Sequence, residues 1–85
     1  MDDGAVLAGV QEVVDQYAGI PAGGAAIGPE TDLYAAGMTS FASVEVMLGL
    51  EERFGITFPQ NLIQRETFLT MSAMATAVTK IRDQS

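Results

Sequence analysis

Ser40 is the residue of this chain around which chemistry could be organised. It lies in the run Gly37-Met38-Thr39-Ser40-Phe41, directly before an acidic, apolar, helix-forming stretch. Its hydroxyl therefore falls at the exposed start of a helix whose next turns carry Val44, Glu45, Leu48, Glu51 and Glu52. A serine nucleophile needs a base beside it, and the chain contains no histidine, so a serine–histidine–acid relay is excluded. Cysteine is also absent, which removes a thiolate nucleophile, a disulfide framework and a cysteine-ligated zinc site. What remains for Ser40 is a role as a point of attachment.

Other sites fail on spacing. A two-carboxylate hydrolase needs acids that converge on a cleft, whereas Glu51 and Glu52 are neighbours on a helix and point about 100° apart. A calcium loop begun at Asp32 would place Gly37 correctly at its sixth position, but Tyr34, Ala36 and Ser43 occupy the third, fifth and twelfth. Gly23-Gly24 lacks the Gly-Lys-Ser/Thr continuation of a phosphate loop. The sequence thus offers no catalytic residue and no metal ligand set, and an enzyme acting alone is not expected.

Charge narrows the partners. The 85 residues include 11 acidic and 4 basic ones, a net charge of −7. Nucleic acid requires clustered Lys and Arg, and an anionic membrane surface would repel this chain. A basic protein surface is the complement, because opposite fields speed encounter and fix orientation. The opening Met-Asp-Asp-Gly lacks a positive segment followed by an apolar one, and no apolar run approaches the roughly 20 residues of a membrane span. The expectation is a single cytoplasmic domain, 1–85, working as a monomer.

Helices must position Ser40. Val6, Val10, Val13, Val14 and Tyr17 recur at spacings of three and four, which predicts a helix over 4–17, with Asp2 and Asp3 suiting the dipole at its start and Gly19 and Pro21 ending it. Residues 18–31 are rich in Gly, Ala and Pro and read as a long loop. Asp32, Leu33 and Tyr34 read as one helical turn pinning that loop to the core, and Gly37 permits a sharp approach to the second helix, expected over 40–54. Thr39 or Ser40 supplies the capping oxygen there, Arg53 suits the C-terminal end, and Gly55 is placed as the left-handed terminator. Gly49 in the helix interior either admits a close neighbour or is simply tolerated. A strand-like Ile56-Thr57-Phe58 leads to Pro59, which fits the first position of a short helix over 59–65. A last helix over 68–82 carries Phe68, Met71, Met74, Ala75, Val78 and Ile81 on one stripe, with Lys80 and Arg82 in its final turn. The fold expected is all-α, a small antiparallel four-helix bundle of three longer helices and one short third helix.

At about 100° per residue, positions 41, 44, 45, 48, 51 and 52 share one arc of the second helix, and 46, 47, 50 and 54 lie opposite. Val46, Met47, Leu50 and Phe54 then face the core. Phe41, Val44 and Leu48 form an apolar strip among Glu45, Glu51 and Glu52, beginning beside Ser40. Such a strip fits a partner offering apolar contact within a ring of Arg and Lys. Apolar residues all round a helix can also mean burial, and Phe41 at the helix start could equally pack inward.

The ordered series Asp32-Leu33, Gly37-Met38-Thr39-Ser40-Phe41, Val44-Glu45-Val46 and Leu50-Glu51-Glu52-Arg53-Phe54-Gly55-Ile56 resembles the acyl carrier proteins, whose pattern is Asp-Leu, Gly-x-Asp-Ser-Leu, Val-Glu and Leu-Glu-Glu-x-Phe-Gly-Ile. Phe58-Pro59 resembles the family's Ile-Pro before its short third helix. The resemblance implies that Ser40 carries 4′-phosphopantetheine, joined by a phosphopantetheinyl transferase, and that the thiol of the arm holds cargo as a thioester. The cofactor would then bring the sulfur that the chain lacks, and partner enzymes would bring the catalysis. The partner-binding residues implied are Thr39, Phe41, Val44, Glu45, Leu48, Glu51 and Glu52. Three departures stand out: Thr39 replaces the usual Asp, Phe41 replaces Leu, and Ala36 replaces a common large apolar residue. They suggest a specialised carrier.

Asp32 to Gly37 and Ser40 to Val44, continuing through Phe58-Pro59 to Asn61-Leu62 and Arg65, are similar to a bacterial subgroup of aminoacyl carriers. Those accept an activated amino acid, such as glycine or alanine, from a ligase related to class II aminoacyl-tRNA synthetases. Two alternatives stay open: a specialised carrier of fatty or hydroxyacyl chains served by an acyl ligase or acyltransferase, and an acidic helical interaction module with no cofactor.

Overall fold

The computed structural model describes residues 3–20 and 27–84. Among the described residues the α-helices are α1 (Asp3–Tyr17), α2 (Ser40–Phe54) and α3 (Met71–Gln84). Their apolar stripes close on one another. Val6, Val10, Val13 and Val14 of α1, Val46 and Leu50 of α2, and Met71, Met74, Val78 and Ile81 of α3 belong to one buried cluster. α1 packs against both other helices. The expected all-α bundle is therefore realised, and among the described residues there is no strand. Ile56 to Phe58 is instead an irregular connection that delivers Phe58 into the core, where its ring meets Phe68 at 5.4 Å between centroids.

The short third helix takes another form. Residues 59–65 do not make an α-helix; two 3₁₀ turns, Gln60–Leu62 and Arg65–Phe68, stand in the region. The first has Pro59 before it in extended conformation, no side-chain cap and no buried residue, so nothing supports a longer α-helix. Gln64 is extended and separates the two turns. The last helix likewise starts later than expected. Thr70 Oγ1 accepts from Ala73 N at 3.0 Å and Thr70 O accepts from Met74 N at 3.1 Å, which sets the cap at Thr70 and leaves Phe68 in the preceding turn. Because α3 runs on to Gln84, Arg82 is the basic residue of its final turn and Lys80 precedes it.

Gly49 has a packing reason. A Cβ at this position would lie 2.8 Å from the Tyr17 ring and 2.9 Å from Val13 Cγ1, so its absence lets α1 and α2 approach closely. Gly55 ends α2 at φ 65°, and the amides of Gly55 and Ile56 both donate to Glu51 O. The start of α2 is approached through a buttressed turn. Leu33 is fully buried, its amide donates to Leu69 O at 2.9 Å, and its carbonyl accepts from Met38 N at 2.9 Å. The long loop is anchored beyond this, with Pro29 O accepting from Ser72 N at 3.0 Å. Asp2 and residues 21–26 of that loop, including Pro21, Gly23 and Gly24, lie outside the described residues.

Candidate functional site

Ser40 is the first residue of α2. Thr39 is the cap: its backbone is extended and its Oγ1 accepts from Ala42 N at 3.0 Å. That assignment frees the neighbouring hydroxyl. Ser40 is exposed, and its Oγ makes no hydrogen bond among the described residues, while its carbonyl accepts from Ser43 Oγ at 2.6 Å. The chain reaches this point through a turn in which Ala35 N donates to Asp32 Oδ1 at 3.1 Å, and then through Gly37 at φ 124°, a value that favours glycine. Buried Met38 fixes the other side of the turn. A loop held at Leu33 and Met38 thus presents a free hydroxyl at the head of a rigid helix.

Beyond Ser40 the outer face of α2 stays open. Phe41 is 76 % exposed, Val44 50 % and Leu48 54 %. Phe41 therefore points outward, which decides between its two expected placements. Glu45 and Glu52 are exposed beside this strip. Val46 and Leu50 face the core fully buried, with Met47 and Phe54 packed against it. Glu51 departs from its expected place on the open rim. It is half-buried and its Oε2 accepts from Phe58 N at 2.8 Å, so this carboxylate fastens the end of α2 to the following segment. Thr39 is exposed, but its oxygen is occupied by the cap.

Two residues near the site were not singled out from sequence for a role. Ile63 is 49 % exposed and extends the apolar surface. Arg65 lies with Ser40, Tyr34, Val44 and Met47 around a surface cleft of about 340 Å³. Its guanidinium carbon sits 4.0 Å from the centre of the Tyr34 ring. The signal available was Leu62-Ile63 shortly before Arg65 in a stretch of polar residues, and its meaning depends on where the two 3₁₀ turns fold back.

This arrangement fits a phosphate-linked group. It has an exposed hydroxyl without a partner among the described residues, an apolar-walled cleft beside it and a cation in that cleft. Among the described residues no cluster of three or more acidic, His or Cys side chains could hold a metal. The chain matches the family described as "Phosphopantetheine attachment site" over residues 8–78. It belongs to that family. Membership makes it a carrier protein, with 4′-phosphopantetheine as the cofactor, as the resemblance implied. The Aminoacyl carrier protein of Agrobacterium fabrum (strain C58 / ATCC 33970) is 43 % identical over 74 residues, 87 % of this chain and 89 % of the relative. A solved chain from an engineered Bradyrhizobium japonicum glycine:[carrier protein] ligase complexed with carrier protein from Agrobacterium tumefaciens and ATP is 42 % identical. It superposes with a TM-score of 0.83, covering 89 % of this carrier and 99 % of that chain. The corresponding complex with AMP gives 0.80 at 42 % identity, covering 86 % and 97 %. No helix among the described residues is long and apolar enough to cross a membrane.

Proposed function

We propose that this carrier is modified on Ser40 and holds an activated small amino acid, glycine- or alanine-like, for transfer by partner enzymes. The observation that carries the attachment point is the Ser40 hydroxyl, exposed and free of hydrogen bonds among the described residues because Thr39 does the capping. The thiol at the end of the arm supplies the chemistry that a chain without cysteine lacks. The protein's own residues do the rest: Leu33 and Met38 hold the turn, Thr39 closes the helix start, and Ser40 is left facing solvent. The chain itself is not catalytic in this reading.

The amino-acid cargo is supported by the relative named Aminoacyl carrier protein and by the glycine:[carrier protein] ligase complexes. The partner would be such an amino acid:carrier protein ligase, preceded by a phosphopantetheinyl transferase. Docking falls to Phe41, Val44 and Leu48 with Glu45 and Glu52 at the rim. Open apolar residues inside a charged rim match the anatomy of an association surface. Thr39 and Glu51 border this surface but spend their side chains on holding the backbone.

Intact mass spectrometry after incubation with coenzyme A and a broad-specificity transferase tests the attachment. The wild type gains one phosphopantetheine and Ser40→Ala gains nothing. Modification of the alanine variant defeats the assignment. Loading by a glycine ligase against loading by an acyl ligase with fatty acids then tests the cargo; efficient acyl loading without aminoacyl loading would overturn it.

A further inference from the structure

Arg65 is the cation of the Ser40 cleft on a strongly acidic chain. The protein has four basic residues. Arg53 is spent in an ion pair with Glu12 at 2.8 Å. Arg65 makes no ion pair among the described residues. Its guanidinium is instead held over the Tyr34 ring at 4.0 Å. A guanidinium resting on an aromatic face keeps its in-plane N–H donors free, and that donor edge suits phosphate oxygens.

Both halves of this contact are tied to the Ser40 turn. Tyr34 O accepts from Gly37 N at 3.1 Å, three residues before Ser40. Arg65 opens the turn Arg65–Phe68, whose Phe68 is buried and whose following carbonyl, Leu69 O, receives the Leu33 amide. The stacked pair and the attachment point therefore belong to one anchored unit. Arg65 is the charged residue among those lining the cleft, and Val44, Met47, Ile63 and Phe68 supply its apolar wall.

We propose that Arg65 is a positioning residue for the arm. It pairs with the phosphodiester that joins the arm to Ser40 and so lays the adjoining apolar part of the arm along Val44 and Ile63. This rests on the Ser40 reading above. The occupant follows from continuity, since the group that fills the cleft is covalently attached at the cleft's own rim. It also follows from charge, because a phosphodiester on a −7 chain meets here a cation with no carboxylate partner among the described residues.

The test uses the modified full chain. Mass spectrometry first establishes the mass gain; its absence removes the Ser40 reading and this one with it, before any spectrum is recorded. Phosphorus NMR and proton cross-peaks between the arm's paired methyl groups and the Val44 and Ile63 methyls are then compared for wild type, Arg65→Gln and Arg65→Lys. An exposed charge pair shifts such a population about two- to fivefold. The Arg65→Gln cross-peaks should weaken by that factor and its phosphorus resonance should move. Salt raised to about 1 M, where screening acts within roughly 3 Å, should move the wild-type resonance towards that of Arg65→Gln and leave the variant in place. Arg65→Lys should stay nearer the wild type. The proposal is overturned if wild type and Arg65→Gln give the same resonance and cross-peaks. It is equally overturned if Arg65→Lys behaves as Arg65→Gln, since a lost contact with Tyr34 rather than a lost charge would then be the cause.

Discussion

Val46 and Leu50, on one side of α2, are fully removed from water, while Phe41, Val44 and Leu48, on the other, keep half or more of their surface in it. The two sets are similar in apolarity and share one helix. They differ in what packs opposite. α1 covers the inner set, closely enough that Gly49 has no room for a side chain. Within the described chain nothing of comparable extent covers the outer set. Hydrophobic stabilisation is realised where apolar area leaves water. The inner residues therefore contribute to folding, and in the proposed reading the outer ones contribute when a partner arrives.

The sharpest way to break this contrast is to truncate the inner face. Leu50→Ala removes a fully buried side chain from the central cluster and should cost about 2–5 kcal/mol. For a domain of this size that is a fall of roughly 10 °C or more in the thermal midpoint followed by circular dichroism. A change under about 4 °C would mean that the inner face is not the tightly packed one.

Adjacent glutamates sharpen the comparison at finer grain. Glu51 receives the Phe58 amide, while Glu52 is exposed. Glu51→Ala strands that amide beside a buried ring and should cost about 1–3 kcal/mol. Glu52→Ala should stay within about 0.5 kcal/mol of wild type, as surface changes away from such contacts do. Equal effects in urea unfolding would contradict the separation of the two roles.

On the outer face, Leu48→Glu should leave the thermal midpoint within about 4 °C. It should slow ligase loading of the modified protein about five- to thirtyfold, the range for losing about 1–2 kcal/mol at an interface anchor. Steady-state loading rates at limiting carrier check this. Unchanged loading would remove Leu48 from the docking surface.

Much of this division was legible in the sequence because it follows from periodicity. The positions 46 and 50 fall opposite 41, 44 and 48 on any α-helix, and Gly55 marked its end by residue type, while its start was narrowed to Thr39 or Ser40. The ordered series around Ser40 also carried the family. Three features escaped for physical reasons. Neither 3₁₀ turn has a side-chain cap and the first buries no residue, so no pattern distinguishes them from a short helix. Glu51 meets an amide seven residues on, across an irregular segment whose path residue types do not fix. Arg65 meets Tyr34 only because the chain folds back through Leu33 and Leu69.

The smallest expected effect concerns the point where the two faces meet. Thr39 caps α2 with a neutral oxygen where the acyl carrier pattern that the sequence resembles has an aspartate. Thr39→Asp keeps an acceptor for the Ala42 amide and adds negative charge at the positive end of the helix, worth about 0.3–1 kcal/mol. The midpoint should rise by a few degrees, and the gain should shrink as salt screens the dipole. Thr39→Ala removes the acceptor and should lose about 1 kcal/mol. If Thr39→Ala were instead neutral, the first-turn amides would be satisfied without Thr39. Another group would then do the capping, and Thr39 would not be what leaves the Ser40 hydroxyl free.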